Sequence, residues 1–225
     1  MSGPRPSIVV PDLHGCPHFL EWIGRAFPER SYIVLGDLIH RGPDSRTCLQ
    51  GVLALAEAGR AVLLEGNHEF WVRDEGLSLE AKARELWFRQ HEAKVAAQYR
   101  AAGENLNHFI GDMERFAALA LPYHTEGQML CAHAARPSFG TSPAPLDNGH
   151  LWDDPELGVH PLPTNLFPDL TYSVHGHSIH PFPLVDLAGT GTVYLDLGGY
   201  RTGQFCVWDA ERRAVVFYPE TPHQR

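Results

Sequence analysis

Five short clusters of Asp, Asn and His carry the residue types that a pair of divalent cations would need. They are Asp12-Leu13-His14-Gly15, Gly36-Asp37, Gly66-Asn67-His68-Glu69, His133, and His175-Gly176-His177. Carboxylates and an amide oxygen suit hard cations, and imidazole suits zinc, iron, nickel or manganese. An aspartate that bridges two ions holds them ~3.5–4 Å apart, the spacing of two-metal hydrolytic sites. The glycines beside the clusters, with Gly42, permit sharp turns and close backbone approach to an anion. Each cluster alone has a plainer explanation. Asp-x-His is common, Gly-Asp is a frequent turn, Asn67 can cap a helix, and His-Gly-His fits a surface loop.

The elements around the clusters argue for one shared site. Strands are expected at Ser7–Val10, Tyr32–Leu35, Ala61–Leu64, Met129–Ala132, Tyr172–Val174, Val193–Leu197, Gln204–Trp208 and Ala214–Tyr218, from short β-branched or apolar runs bounded by turn residues. Each cluster directly follows one of the first five. Helical spacing of apolar residues marks His18–Ala26 and Thr47–Ala58, giving three strand–loop–helix units and a largely parallel sheet. Ligands of such sheets bind at the carboxyl ends of the strands, where the clusters are expected to meet. Glu80–Ala102 is Ala-rich and helix-favouring, and with its flanks it forms a helical insert at about 70–120. Pro137–Pro168 is rich in Pro, Gly, Asn and Asp and reads as a long loop region, functional or disordered. Asp209–Arg213 reads as a hairpin connection. No repeat or linker divides the chain, so residues 1–225 are expected to form a single domain.

Bulk properties narrow the function classes. The chain has 225 residues, 44% of them hydrophobic, enough for one sizeable core. A net charge of -9 argues against a nucleic-acid partner, although bound cations reverse the sign locally. Four widely spaced cysteines form no CxxC pair and no disulfide framework. No run approaches the ~20 apolar residues of a membrane span, and Met1–Ser7 lacks the apolar region of a secretory signal. The expected location is cytoplasmic, with no membrane partner.

The segments DLHGC, GDLIHRGPDS, LLEGNHE, CAHAARP and VHGHS, in that order, resemble the signature of the calcineurin-like metallophosphoesterases. The likeness runs from about Val9 to Leu197 and is strongest to the phosphoprotein phosphatase branch, including bacterial Ser/Thr phosphatases and symmetrical diadenosine tetraphosphatases. LDLGGYRTGQF resembles that branch's closing strand segment. The resemblance implies an α/β (α+β) fold, a four-layer αββα sandwich of two mixed β-sheets. It implies two divalent ions, manganese first and iron, zinc, nickel or cobalt as alternatives. Asp12, His14 and Asp37 would hold one ion; Asp37 would bridge to the other, completed by Asn67, His133 and His177. Arg41 and Asn67 would contact substrate, and His68 would protonate the leaving group as a metal-bridged water or hydroxide attacks. His40, His175 and Glu69 are expected behind these residues, His175 orienting a ligand and Glu69 orienting His68 or favouring the first turn of a helix. His91, His108, His124 and His223 fall outside the clusters and read as structural or solvated.

The pattern departs from the branch in places. Pro11 and Ala135 replace glycines without removing a ligand. Protein phosphatases of the branch carry an Asp where this chain has His40, paired with the catalytic His; diadenosine tetraphosphatases also lack an acid there. No Lys or Arg occurs from Pro137 to Tyr200, so the second phosphate-clamping Arg of the protein phosphatases is missing from the stretch after Leu151-Trp152-Asp153-Asp154. Arg136 and Arg201 are the candidate replacements. The sequence therefore points to a metal-dependent phosphohydrolase on phosphoanhydride or aryl phosphate substrates such as dinucleoside polyphosphates, with a protein Ser/Thr or Tyr phosphatase as the alternative. A non-catalytic module that holds metal or a phosphorylated partner is the rival from another class. With no acid beside His68, weak leaving-group protonation and a preference for good leaving groups are expected.

Overall fold

The computed structural model describes residues 7–154 and 160–219. His223 and part of the Pro137–Pro168 segment lie outside those residues. Strands β1 (Ile8–Val10), β2 (Tyr32–Val34) and β3 (Ala61–Leu63) pair in parallel, joined by helices α1 (Pro17–Ala26) and α2 (Ser45–Glu57). Then come α3 (Asn67–Trp71), a π-helical turn at Val72–Leu77, α4 (Ala81–His91), α5 (Ala93–Ala101) and α6 (Leu106–Leu119). The second half runs β4 (Tyr123–Glu126), β5 (Met129–Ala132), β6 (Tyr172–His175), β7 (Leu184–Asp186), β8 (Thr192–Tyr194), α7 (Gly199–Thr202), β9 (Cys206–Asp209) and β10 (Ala214–Phe217).

The strands form two five-stranded sheets, ordered β10-β9-β1-β2-β3 and β4-β5-β6-β8-β7. Both are mixed. The parallel sheet expected from the first half gains antiparallel β9 and β10 at one edge. Period-two alternation sets the layers. Val9, Ile33, Met129, Cys131, Val174, Val193, Cys206 and Trp208 point between the sheets and form one apolar cluster. Ile8, Val10, Tyr32, Val34 and Leu63 point the other way, onto Phe19, Leu49, Val52, Phe109, Met113 and Phe116 of the helices. Buried on both faces, these strands read as continuous apolar runs. Over the outer face of the second sheet, Leu130 and Ala132 pack with Leu170, Phe139, Leu162 and Phe167.

The helix-favouring stretch Glu80–Ala102 forms two helices, separated at Glu92, whose φ of -111° and ψ of 24° leave the helical region. The strands β4 and β7 are short edge strands, Tyr-His-Thr-Glu and Leu-Val-Asp, with half-exposed side chains and no apolar run to mark them.

Candidate metal centre

Every strand-end cluster lies on the same rim of the sandwich. The chain leaves β1 into Asp12 and His14, β2 into Asp37, β3 into Asn67 and His68, β5 into His133, and β6 into His177. The turns that aim these side chains are strained. Non-glycine residues with positive φ, among those described, are His14 (41°), Asp37 (51°), His40 (69°), Arg41 (64°), His177 (62°) and Arg213 (50°). Left-handed backbone is unfavourable for residues with a Cβ, and it persists where surrounding bonds over-determine it. Five of these six are sequence-predicted site residues.

Glu69 supplies much of that over-determination. Its fully buried carboxylate accepts the backbone N–H groups of Asp37 (2.8 Å), Leu38 (2.8 Å) and Ile39 (3.2 Å). It therefore shapes the Asp37 turn rather than the His68 ring. The glycines allow close packing, and Gly176 is the clearest case: a Cβ there would run into the Asp12 carboxylate. Gly176→Ala is expected to fold but to bind Mn²⁺ about 10- to 100-fold more weakly, the usual cost of disturbing a group behind a ligand; titration calorimetry checks it, and unchanged affinity would contradict this geometry.

Asp37 divides its carboxylate between two groups of donors. Oδ2 lies 3.4 Å from His14 Nε2 and 3.8 Å from His68 Nε2, whereas Oδ1 lies 3.6 Å from His133 Nε2. On the Oδ1 side, His133 Nε2, His177 Nδ1 and Asn67 Oδ1 are mutually 3.0–3.1 Å apart. Two sets of ligand atoms thus share Asp37: His14, Asp37 and His68, and Asp37, His133 and His177. Backbone carbonyls aim two of the imidazoles. His14 Nδ1 meets the oxygen of Ile39 at 3.0 Å and His133 Nδ1 that of Leu35 at 2.9 Å, so their Nε2 lone pairs face the centre. Asp12 belongs to neither set; it accepts the His177 N–H through both oxygens, at 3.1 and 3.0 Å.

The electrostatics fit cations here. Burial raises the carboxyls of Asp12 and Asp37 well above the usual range; Asp196 adds to the effect on Asp12, and Glu69 and Asp12 add to it on Asp37. Burial lowers His14 to about 4, His68 to about 2 and His133 well below its ordinary value. Neutral imidazoles and crowded buried carboxylates form a donor set short of positive charge, which a divalent cation supplies.

Other expected residues have different surroundings. His175 is fully buried, with Nδ1 3.1 Å from the Ala132 oxygen and Nε2 2.8 Å from Ser173 Oγ, so it fixes the strand ends beside His133. Arg136 cannot replace the missing phosphate-clamping Arg. It is buried, and its guanidinium donates to Ser173 Oγ and to the carbonyls of His160, Thr190 and Gly191. Arg201 is exposed on α7, close to Gly198, and remains the candidate. Arg41 donates from Nη1 to Tyr200 Oη at 2.9 Å and places Nη2 3.3 Å from His68 Nε2.

Three site residues escaped the sequence reading. Asp196 is buried, held by the Gly198 N–H at 2.8 Å, and pushed up to about 6 by burial. Tyr200 stands edge-on to the His14 ring. Both lie in LDLGGYRTGQF, so a strand-end carboxylate was available as a signal. The third is Glu92, in the insert. His40 Nδ1 lies 2.6 Å from His68 Nδ1, and His40 Nε2 lies 2.8 Å from Glu92 Oε2. The expectation that no acid serves His68 is corrected: a carboxylate stands one ring away, and the inferred preference for good leaving groups loses its basis.

Comparison with known proteins agrees with this geometry. A family model described as calcineurin-like phosphoesterase matches residues 6–181. A symmetrical bis(5'-nucleosyl)-tetraphosphatase of Ralstonia nicotianae is 40% identical over 65 residues, which span 28% of this chain and 23% of that relative. A metallophosphoesterase structure from Sphaerobacter thermophilus superposes with a TM-score of 0.55 at 16% identity, covering 96% of this chain and 88% of the other. A Saccharomyces cerevisiae protein serine/threonine phosphatase gives 0.63 at 15% identity, covering 96% and 80%. At such identities the structures share the fold.

Proposed function

The chain belongs to the calcineurin-like phosphoesterase family, and from that premise we propose that it is a metal-dependent hydrolase of phosphoanhydrides and aryl phosphates, dinucleoside polyphosphates among them. The observation that carries this reading is the Asp37 carboxylate, whose two oxygens face two separate donor sets. Asp12, His14 and Asp37 would hold one divalent cation, and Asp37, Asn67, His133 and His177 the other. Manganese is the first choice, with iron, zinc, nickel and cobalt as alternatives. When bound, the cations supply Lewis-acid charge to the phosphoryl group and acidify an attacking water.

The chain's own groups do the rest. Arg41 turns its guanidinium into the mouth of the site, where it holds an equatorial phosphoryl oxygen while Tyr200 steadies its other amino group. Asn67 would contact the same phosphoryl group. His68 Nε2, between Arg41 and Asp37, faces the departing oxygen and gives it a proton. The anhydride preference rests on the 65-residue stretch that is 40% identical to the tetraphosphatase. Four buried, unpaired cysteines favour a reducing compartment, and we place the protein in the cytoplasm.

A substrate panel with added Mn²⁺ tests the reading. Diadenosine tetraphosphate and p-nitrophenyl phosphate are expected to turn over with kcat/KM at least about tenfold above a phosphoserine peptide, one decade being 1.4 kcal/mol of transition-state preference. The reverse order would assign the protein to phosphoprotein substrates, and no turnover of any of them would overturn the hydrolase.

A further inference from the structure

We propose that Glu92 is a positioning residue of this centre, acting through His40 to fix the tautomer and aim of His68. The proposal rests on His68 as the proton donor, and it gives the helical insert a part in the reaction. Hydrogen-bond chemistry at the two ends of a four-residue chain dictates it. A guanidinium only donates and a carboxylate only accepts. Arg41 Nη2 lies 3.3 Å from His68 Nε2, the two rings meet Nδ1 to Nδ1 at 2.6 Å, and Glu92 Oε2 lies 2.8 Å from His40 Nε2. Only one arrangement of protons satisfies all three contacts between neutral rings. Arg41 donates to His68 Nε2, His68 Nδ1–H donates to His40 Nδ1, and His40 Nε2–H donates to Glu92. His68 Nε2 is then the ring atom left to face the cleft; when it takes up a proton from solvent, His68 passes that proton to the leaving oxygen, keeps its Nδ1–H and ends neutral.

The fold goes to some length to place this carboxylate. Glu92 separates α4 from α5, its side chain is 1% exposed, and no group among the described residues bonds its Oε1. A buried carboxylate with one partner is costly, so stability alone is a poor reason for it. The same insert binds the phosphate-facing loop at two further points: Lys94 Nζ donates to the Arg41 carbonyl at 2.9 Å, and Gln98 Oε1 accepts the Ser45 N–H at 2.8 Å. His40 holds a left-handed φ of 69°, a conformation Asp also tolerates. An acid at position 40 would therefore stand where the His40 ring meets His68 and would make Glu92 unnecessary.

The test compares wild type, Glu92→Leu, the isosteric Glu92→Gln, and the double variant His40→Asp/Glu92→Leu, each checked for folding by circular dichroism. Aryl phosphates of rising leaving-group pKa are the substrates, with Mn²⁺. Glu92→Leu is expected to lose at least about tenfold more kcat on the poorest leaving group than on p-nitrophenyl phosphate, and Glu92→Gln, whose amide oxygen still accepts from His40 Nε2–H, to lose less. The double variant is expected to recover most of that difference, which a merely structural Glu92 would not allow. In the metal-free protein, ¹⁵N spectra of the histidines are expected to show His68 protonated at Nδ1 and His40 at Nε2, with that assignment lost in Glu92→Leu. Equal losses on all substrates, no recovery in the double variant, or unchanged tautomers in Glu92→Leu would overturn the relay. If wild type hydrolyses none of the substrates, the hydrolase reading fails, and the tautomers still decide whether Glu92 sets the His68 ring.

Discussion

Asp37→Asn is expected to abolish turnover, lowering kcat/KM by more than about 10⁴-fold, while making the metal-free protein more stable. The two effects have one cause. Asp37 faces both donor sets and is the one carboxylate shared between them. An amide retains one neutral oxygen but lacks the charge and the second oxygen that a bridging position needs. Without cations that same charge is a burden, because burial and the nearby Glu69 and Asp12 raise the Asp37 carboxyl. A carboxyl whose folded pKa lies above its unfolded value costs stability once the pH rises past the unfolded value. At neutral pH in EDTA the Asn variant escapes that cost, and its Tm is expected to exceed that of wild type. With Mn²⁺ at about 100 times Kd, wild type gains roughly 2.7 kcal/mol by mass action, or several degrees for a domain of this size. The variant is expected to gain little. Near-wild-type kcat/KM would contradict the bridging role, and a lower metal-free Tm would contradict the electrostatics.

The second large effect separates two duties open to His68. Its Nε2 lies within the same small set of atoms as His14 and Asp37, so geometry alone permits a ligand, whereas the resemblance makes it an acid. The ring sits behind Arg41 at the mouth of the site and is held from the rear by His40. That arrangement suits a group facing the leaving oxygen. His68→Ala is therefore expected to cost ~10²–10⁴-fold in kcat on substrates with poor leaving groups, far less on p-nitrophenyl phosphate, and to leave two Mn²⁺ per chain. Asp12→Asn, by contrast, is expected to lose one equivalent. Metal analysis after desalting checks both. A His68→Ala protein that retains a single ion would make His68 a ligand.

What the sequence showed and what it hid follow from the range of the interactions. The ligand clusters were legible because each is local: Asp12 and His14 share one turn, Asn67 and His68 another, and the strands before them are buried on both faces. The edge strands β4 and β7 were not legible, since a polar edge such as Tyr123–Glu126 has no run to read. Arg136 looked available for phosphate, yet its partners are Ser173 Oγ and backbone carbonyls, 24 to 55 residues away, which no local pattern announces. Glu92 was the deepest omission. In a polar, Ala-rich stretch, one Glu looks like any other solvated residue. Its burial against His40, 52 residues distant, exists only once the insert has folded over the loop. The left-handed turns at His14, Asp37, His40, Arg41 and His177 were equally silent, because sequence normally marks such backbone with glycine.

The most direct measurement is an anomalous difference map from crystals soaked in Mn²⁺. Two peaks are expected, one on each side of the Asp37 carboxylate, with His14 and Asp12 beside one and Asn67, His133 and His177 beside the other. A single peak, or peaks that Asp37 does not touch, would contradict a two-cation centre built by these residues.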